Sequence, residues 1–317
     1  MTTKSPIFLK PLFKERIWGG TSLKRFNYEL NSDNVGECWA ISAHPNGTNE
    51  VKSGLYKGLS LSNLWDKHQE LFGFFPSDKF PLLTKILDAS QDLSVQVHPD
   101  DQYAQQNENG ELGKTECWYI IDCKKDAEMI LGHHASSKKQ LLQWVKQGLW
   151  SDLLRKVKIK PGDFFYVPSG TIHALCEGTL VLETQQNSDT TYRVYDYDRI
   201  DQNGQVRDLH LDKAIEVTTI PHQNESIDPV ISKQKDATIT KFVEEKYFSA
   251  FKWEINGESQ FNQNKKFQLV SVLEGEGILE TLDGEFTFQK GDHFILPYQM
   301  SDFTIRGNTE MIISFPS

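Results

Sequence analysis

Cysteine is scarce: Cys38, Cys117, Cys123 and Cys176 are the only four in 317 residues, and none forms a CxxC pair. That usage argues against a disulfide framework or a sulfur-rich metal site and reads as reduced thiols in a cytoplasmic protein. Long apolar runs are also lacking. No window approaches the roughly 18 apolar residues that a membrane-spanning helix needs. The opening stretch MTTKSPIFLKPLFKERIW has no apolar core of export-signal length and is broken by Pro6 and Pro11. A basic excess is missing too: 34 Lys and Arg stand against 44 Asp and Glu, a formal net charge of -10. Nucleic acid is therefore not an expected partner, and neither is a membrane, although a few cations focused in a cleft can still attract a small anion. No strand, glycine-rich turn and helix follow one another, which removes a dinucleotide fold or a phosphate-binding loop.

What remains is a chain rich in short β-type runs. LSVQVHPDD, ECWYIIDC, FFYVPSG, TLVLETQQ, KFQLVSVLEGEG and GEFTFQKGDHFILP carry Val, Ile, Phe and Tyr between turn residues. Helical periodicity is confined to 137–156, 59–72 and a short piece at 212–217, with Gly148 placed to split the first. Two blocks repeat: PGDFFYVP at 161–168 is echoed by KGDHFILP at 290–297, and ECWYIIDC at 116–123 by QLVSVLEG at 268–275. A Gly-Asp turn followed by an apolar strand ending in Pro is a recurrent hairpin of the double-stranded β-helix. The expected fold is mostly β: two cupin-type jelly-roll barrels with a small helical insertion near 137–156. Residues 1–235 would form a metal-binding catalytic domain and 236–317 a second, metal-free one, joined through the polar stretch 219–240. From Glu116 to His173 the first copy spans 57 residues, whereas Gln268 to Asp302 spans 34, a surplus that matches the insertion.

The first copy also holds the chemistry. Gln96 and His98 lie two apart on a strand, so both leave the same face. Glu116 opens the next apolar strand and His173 follows the turn after Pro168. Two imidazoles, a carboxylate and an amide oxygen suit Zn²⁺, with Fe²⁺ or Mn²⁺ as alternatives. The second copy carries Gln268 and Asp302 where the first has Glu116 and His173. The other histidines, His44, His68, His133, His134, His210, His222 and His293, read as ordinary core or surface residues.

FPLLTKILDASQDLSVQVHPDD, GKTECW, PSGTIHAL and ETQQNSDTTYRVYDYDR, with WGG at 18–20 and GECWAISAHPNG at 36–47, together resemble the type I phosphomannose isomerases in their short bacterial form. The resemblance runs over the whole chain. It implies a cupin pair, one Zn²⁺ per chain and aldose–ketose isomerisation between mannose 6-phosphate and fructose 6-phosphate. It places the zinc ligands on Gln96, His98, Glu116 and His173. The signature arginine falls on Arg193, a lysine on Lys114, and acidic residues near the reacting carbons on Glu183 and Asp189. Lys85 and Ser94 are implied as substrate contacts. Trp18 could wall the cleft or sit in the core. Ser188-Asp189-Thr190 replaces the family's SDN, Gly113 replaces a frequent His, and the long helical domain of larger members is reduced to 137–156.

Such an isomerisation moves a proton between C1 and C2 through a cis-enediol(ate), so it needs an electrophile, oriented cations and a base. The residues leave the base open among Glu183, Asp189, a lysine of lowered pKa and a metal-bound hydroxide. A non-catalytic sugar-phosphate-binding cupin is the alternative of a different class, and an Fe²⁺ dioxygenase a third. The expected partner is a small sugar phosphate, and the expected assembly a monomer or weak homo-oligomer.

Overall fold

The computed structural model describes residues 5–200, 204–298 and 300–317. Strands dominate and fall into three main sheets. One has six strands in the order Phe164–Val167, Glu116–Cys123, Thr179–Gln186, Leu82–Ala89, Val35–Ile41 and Leu12–Gly20. A second has five: Leu154–Lys158, Glu128–His133, His173–Ala174, Val95–Val97 and Tyr192–Tyr195. The third has nine strands and is built mainly from the C-terminal region, with Phe248–Gln263, Ser301–Pro316 and Gln268–Thr281 at its centre. Ile7–Lys10 joins this sheet beside His293–Leu296, and Val230–Gln234 joins it at the far edge. The sheets therefore interleave across residue 235.

Alternation along the six-stranded sheet separates two environments. Cys38, Ile86, Cys117, Tyr119 and Leu182 pack with Phe242, Phe248, Leu269 and Ile312 of the nine-stranded sheet. The alternate residues Leu87, Trp118, Ile120 and Val181 belong to a different core with Met129, Ile159 and Leu175. This inner core lies between the six- and five-stranded sheets. Behind the five-stranded sheet, Val95, Val97, Tyr192 and Val194 pack under Leu141, Val145, Ala214 and Ile215. The helices Lys138–Gln147 and Leu211–Val217 thus cover its outer side.

The helical stretch expected over 137–156 ends earlier. Ser137 caps Lys138–Gln147, and Gly148 closes it at φ 66° in the left-handed region that glycine tolerates. After the single turn Trp150–Leu153, residues Leu154–Lys158 form a strand against Glu128–His133. The cause is a change of period: Arg155 and Val157 are half-buried while Lys156 and Lys158 are exposed. The 59–72 stretch likewise splits into the α-helix Leu61–Lys67, capped by Ser60, and the 3₁₀ turn Gln69–Phe72. Rings of Trp65, Phe72 and Phe80 from this region meet Phe267 of the C-terminal part at 5.3–6.1 Å.

Candidate metal centre and cleft

Strand register assembles the cluster. Gln96 lies opposite His173 in the five-stranded sheet and opposite Arg193 on its other side. Glu116 begins a strand of the facing sheet, opposite Val167 and Gln185. His98, Glu116 and His173 then offer ligand atoms within 4.8 Å of one another, all buried. Glu116 Oε1 is 3.2 Å from His173 Nε2, and its Oε2 is 3.5 Å from His98 Nε2. Gln96 reaches His173 Nε2 at 3.3 Å through its amide.

The outward ring nitrogens fix the imidazoles. His98 Nδ1 lies 2.9 Å from the Thr190 carbonyl and His173 Nδ1 lies 2.8 Å from the Thr171 carbonyl. Each Nδ1–H donates there, so each Nε2 presents a lone pair towards the carboxylate. Burial lowers both histidine pKa values, that of His173 to about 4, with Lys114 adding to the lowering at His98. Among the described residues, neither oxygen of Glu116 accepts a hydrogen bond although both are buried. Two neutral ring lone pairs and a carboxylate that only the Lys114 ammonium approaches among the described residues face one another, and a cation between the three removes their remaining repulsion. The donor set therefore fits a divalent ion.

Lys114 brings a positive charge to this point. Its ammonium is 3.1 Å from Glu116 Oε2 and donates to His98 Nε2 at 3.1 Å. Burial lowers its pKa, but Glu116, Glu183 and Asp189 outweigh that and hold it above the usual lysine value. The lowering considered from the sequence is thus opposed by three carboxylates in this arrangement.

Above the cluster opens a cavity of about 480 Å³. It is lined by Trp18, Lys85, Ser94, Gln96, Lys114, Glu183, Asp189 and Arg193, so every other site residue expected from the sequence meets here. One row of the six-stranded sheet carries two of these residues: Trp39, Lys85, Glu183 and Trp118 stand side by side on successive strands, and Lys85 and Glu183 of the row line the cavity. Trp118 Nε1–H donates to Glu183 Oε2 at 2.9 Å, and Lys85 Nζ lies 3.8 Å from Glu183 Oε1 and 4.0 Å from Asp189 Oδ1. Lys85 also lies over the Trp39 ring at 5.1 Å. Burial and the neighbouring Glu116 charge raise the Glu183 pKa. At Asp189 burial acts upward, but Lys85 and the 3.0 Å hydrogen bond from Asn46 bring the carboxyl below its ordinary value.

Sequence reading missed Arg16, Glu37, Arg207 and His210, which also line the cavity. Arg16 grips Glu37 through two N–H groups at 2.8 and 3.1 Å. Gly36 makes room for this: a Cβ there would lie 2.7 Å from both Arg16 Cβ and a ring carbon of Trp18. His210, read as an ordinary histidine, instead abuts the cavity and accepts the Arg193 backbone N–H at its Nδ1, 3.2 Å away. Glu37 lies inside the quoted GECWAI run, whereas no sequence pattern marks Arg207. A larger trench of about 740 Å³ lies over the C-terminal strands, beside Phe8 and Phe286, away from the His-Glu-His cluster.

Comparison with known proteins gives concordant results. Residues 7–121 match the family model "Phosphomannose isomerase type I, catalytic domain", and residues 238–316 match "Mannose-6-phosphate isomerase, cupin domain". The chain is 56% identical over 314 residues to mannose-6-phosphate isomerase ManA of Bacillus subtilis, covering 99% of both. It superposes with a TM-score of 0.97 on a crystal structure of mannose 6-phosphate isomerase from Bacillus subtilis, at 58% identity over 98% of this chain and 99% of that one. A zinc-bound mannose 6-phosphate isomerase shares the fold at a TM-score of 0.80 and 16% identity, covering 99% of this chain and 100% of that one. The mostly-β scaffold with its cupin domain and buried metal-type cluster is that of a metal-dependent aldose–ketose isomerase. The chain belongs to the type I phosphomannose isomerase family.

Proposed function

We propose that the protein interconverts mannose 6-phosphate and fructose 6-phosphate through a cis-enediol(ate), using one Zn²⁺ per chain held by Gln96, His98, Glu116 and His173. The observation that carries this reading is the buried, self-repelling His-Glu-His cluster directly beneath a cavity rich in cations. Two jelly-roll barrels complete the proposal: a catalytic one within 1–235, with its helical insertion, and a metal-free one within 236–317. Ile7–Lys10 is a strand that the first lends to the second.

A bound zinc supplies Lewis-acid stabilisation of the oxygens that gain negative charge. The chain's own groups do the rest. Lys114 and Arg193 add oriented positive charge in a partly dehydrated site. Lys85, Ser94 and Arg193 offer an ammonium, a hydroxyl and a fork of N–H donors to the phosphate. Trp18 walls one side of the cleft. Glu183 and Asp189 are the carboxylates available to shuttle the proton. The raised pKa of Glu183 favours it as the base, because a stronger base removes a carbon-bound proton more readily. Asp189, tied to Lys85 and Asn46, is better suited to holding a hydroxyl group.

We place this activity in the cytoplasm, in a monomer or weak homo-oligomer. The described residues contain no helix long and apolar enough to cross a membrane. A coupled isomerase assay with metal analysis tests the proposal. Activity should fall with a chelator, return with Zn²⁺, and place solvent deuterium at C2 of mannose 6-phosphate or C1 of fructose 6-phosphate. Tight sugar-phosphate binding without any label exchange would instead make the protein a binding cupin.

A further inference from the structure

Asp196 directly follows the strand Tyr192–Tyr195 that carries Arg193 and is buried, its side chain 1% exposed. Its carboxylate accepts from two arginines. Arg207 donates through Nε to Oδ2 at 2.7 Å and through Nη2 to Oδ1 at 2.5 Å, while Arg199 donates through Nη2 to Oδ1. Only one of these arginines faces the candidate active cleft. Arg207 lines the same cavity as Lys85, Ser94 and Arg193, whereas Arg199 lies on a separate surface hollow beside Glu15 and Ile17.

The chain after Arg207 is fastened to the Arg193 strand. His210 N–H donates to the Arg193 carbonyl at 2.9 Å, and the Arg193 guanidinium donates to the Asp208 carbonyl at 3.3 Å. Two guanidiniums are thereby held at one end of one cavity. Arg193 is burdened by burial and then by the like charge of Arg207, with Asp196 and Asp208 only partly relieving it. Like charges fixed together in a half-buried place favour an anion between them.

We propose that Arg207 is a second guanidinium for the phosphate of the substrate, and that Asp196 is the positioning residue that locks its fork towards the cavity. This rests on the sugar-phosphate reading above. A carboxylate gripping Nε and one Nη leaves the other Nη edge free, and it removes the rotamer freedom of a long side chain before substrate arrives. Arg199 serves the opposite side of the carboxylate and contributes to the fold alone.

The test is steady-state kinetics on Arg207→Ala, Arg207→Lys, Asp196→Asn and Arg199→Ala, with inorganic phosphate as a competitive inhibitor. Arg207→Ala should raise KM for mannose 6-phosphate at least tenfold and weaken phosphate inhibition in parallel, with kcat within about threefold of the parent. Arg207→Lys should recover part of that loss. Asp196→Asn should raise KM three- to tenfold, and Arg199→Ala should leave KM within twofold. The proposal is overturned if Arg207→Ala leaves KM and phosphate inhibition unchanged, or if Arg199→Ala raises KM as much as Asp196→Asn. Should Asp196→Asn not fold, the two Arg207 variants and Arg199→Ala still decide. A parent protein inactive on mannose 6-phosphate but inhibitable in its binding by phosphate would point instead to failure of the isomerase reading.

Discussion

Replacing Glu116 with Gln removes one charge from the cluster and changes little in volume. In the metal-free protein Glu116 faces two imidazole lone pairs, and among the described residues its close cation is Lys114 at 3.1 Å. In the loaded protein it would be the sole anionic ligand. Stability gained from a ligand that binds only the folded state is about 2.7 kcal/mol at 100 times Kd. Unfolding entropy is about 2.1 cal/mol/K per residue, or roughly 0.67 kcal/mol/K for a chain this long, so zinc at that excess should raise Tm by about 4 °C. Thermal unfolding of chelator-treated protein, titrated with Zn²⁺ and accompanied by metal analysis, reads both quantities. The parent should show the rise and about one zinc per chain. Glu116→Gln should show neither at the same concentrations. A parent with no metal-dependent shift, or a Glu116→Gln variant with the parental shift and metal content, would refute the assignment of this cluster as the metal centre.

Two further changes probe the base and the core. Trp118→Phe deletes the N–H that stabilises ionised Glu183, whose pKa is already raised by burial and by Glu116. A hydrogen bond to a charged group is worth about 1.5–3 kcal/mol and one pKa unit about 1.4, so the acid limb of the kcat/KM profile should move up by about one unit. An unmoved limb would remove Glu183 as the base. Phe267→Ala empties a fully buried ring that touches Trp65, Phe72, Phe75 and Phe80. It should cost about 3–5 kcal/mol in denaturant unfolding while leaving kcat of the folded fraction unchanged.

The residues that meet around the cavity are easier to pick from the sequence than the ends of the elements that carry them. Strand spacing singles out Gln96 and His98, two residues apart on one face; the strand itself is Val95–Val97, and His98 lies one residue beyond its end. Glu116 and His173 were legible only as ends of β-type runs, and their meeting depends on pairings across many residues that no local pattern states. The 137–156 helix overshot because Leu153 and Leu154 satisfy either period, and only the alternation in Arg155–Lys158 reveals the strand. Arg207 and Arg16 were invisible for a different reason. A surface-type arginine has no periodicity, and each acquires meaning from one buried acid, Asp196 or Glu37, supplied by the fold.

The internal repeat sharpens the contrast between the two copies. Glu116 stands opposite Val167 at the last residue before Pro168, and Gln268 stands opposite Leu296 at the last residue before Pro297. The two side chains thus occupy corresponding slots in corresponding strands. In the first slot sits a charge, with two imidazoles and an ammonium within 3.5 Å. In the second sits a buried neutral amide, and Asp302, five residues past Pro297, is exposed and accepts from Asn262. A buried ion costs several kcal/mol to desolvate, which its partners must offset, whereas an amide in the same slot costs much less. The strand framework itself therefore needs no charge at this position. Retaining one at Glu116 is a cost that packing alone does not explain: Lys114 offsets part of it on one side, and the proposed cation between Glu116 and the two imidazoles would offset the rest.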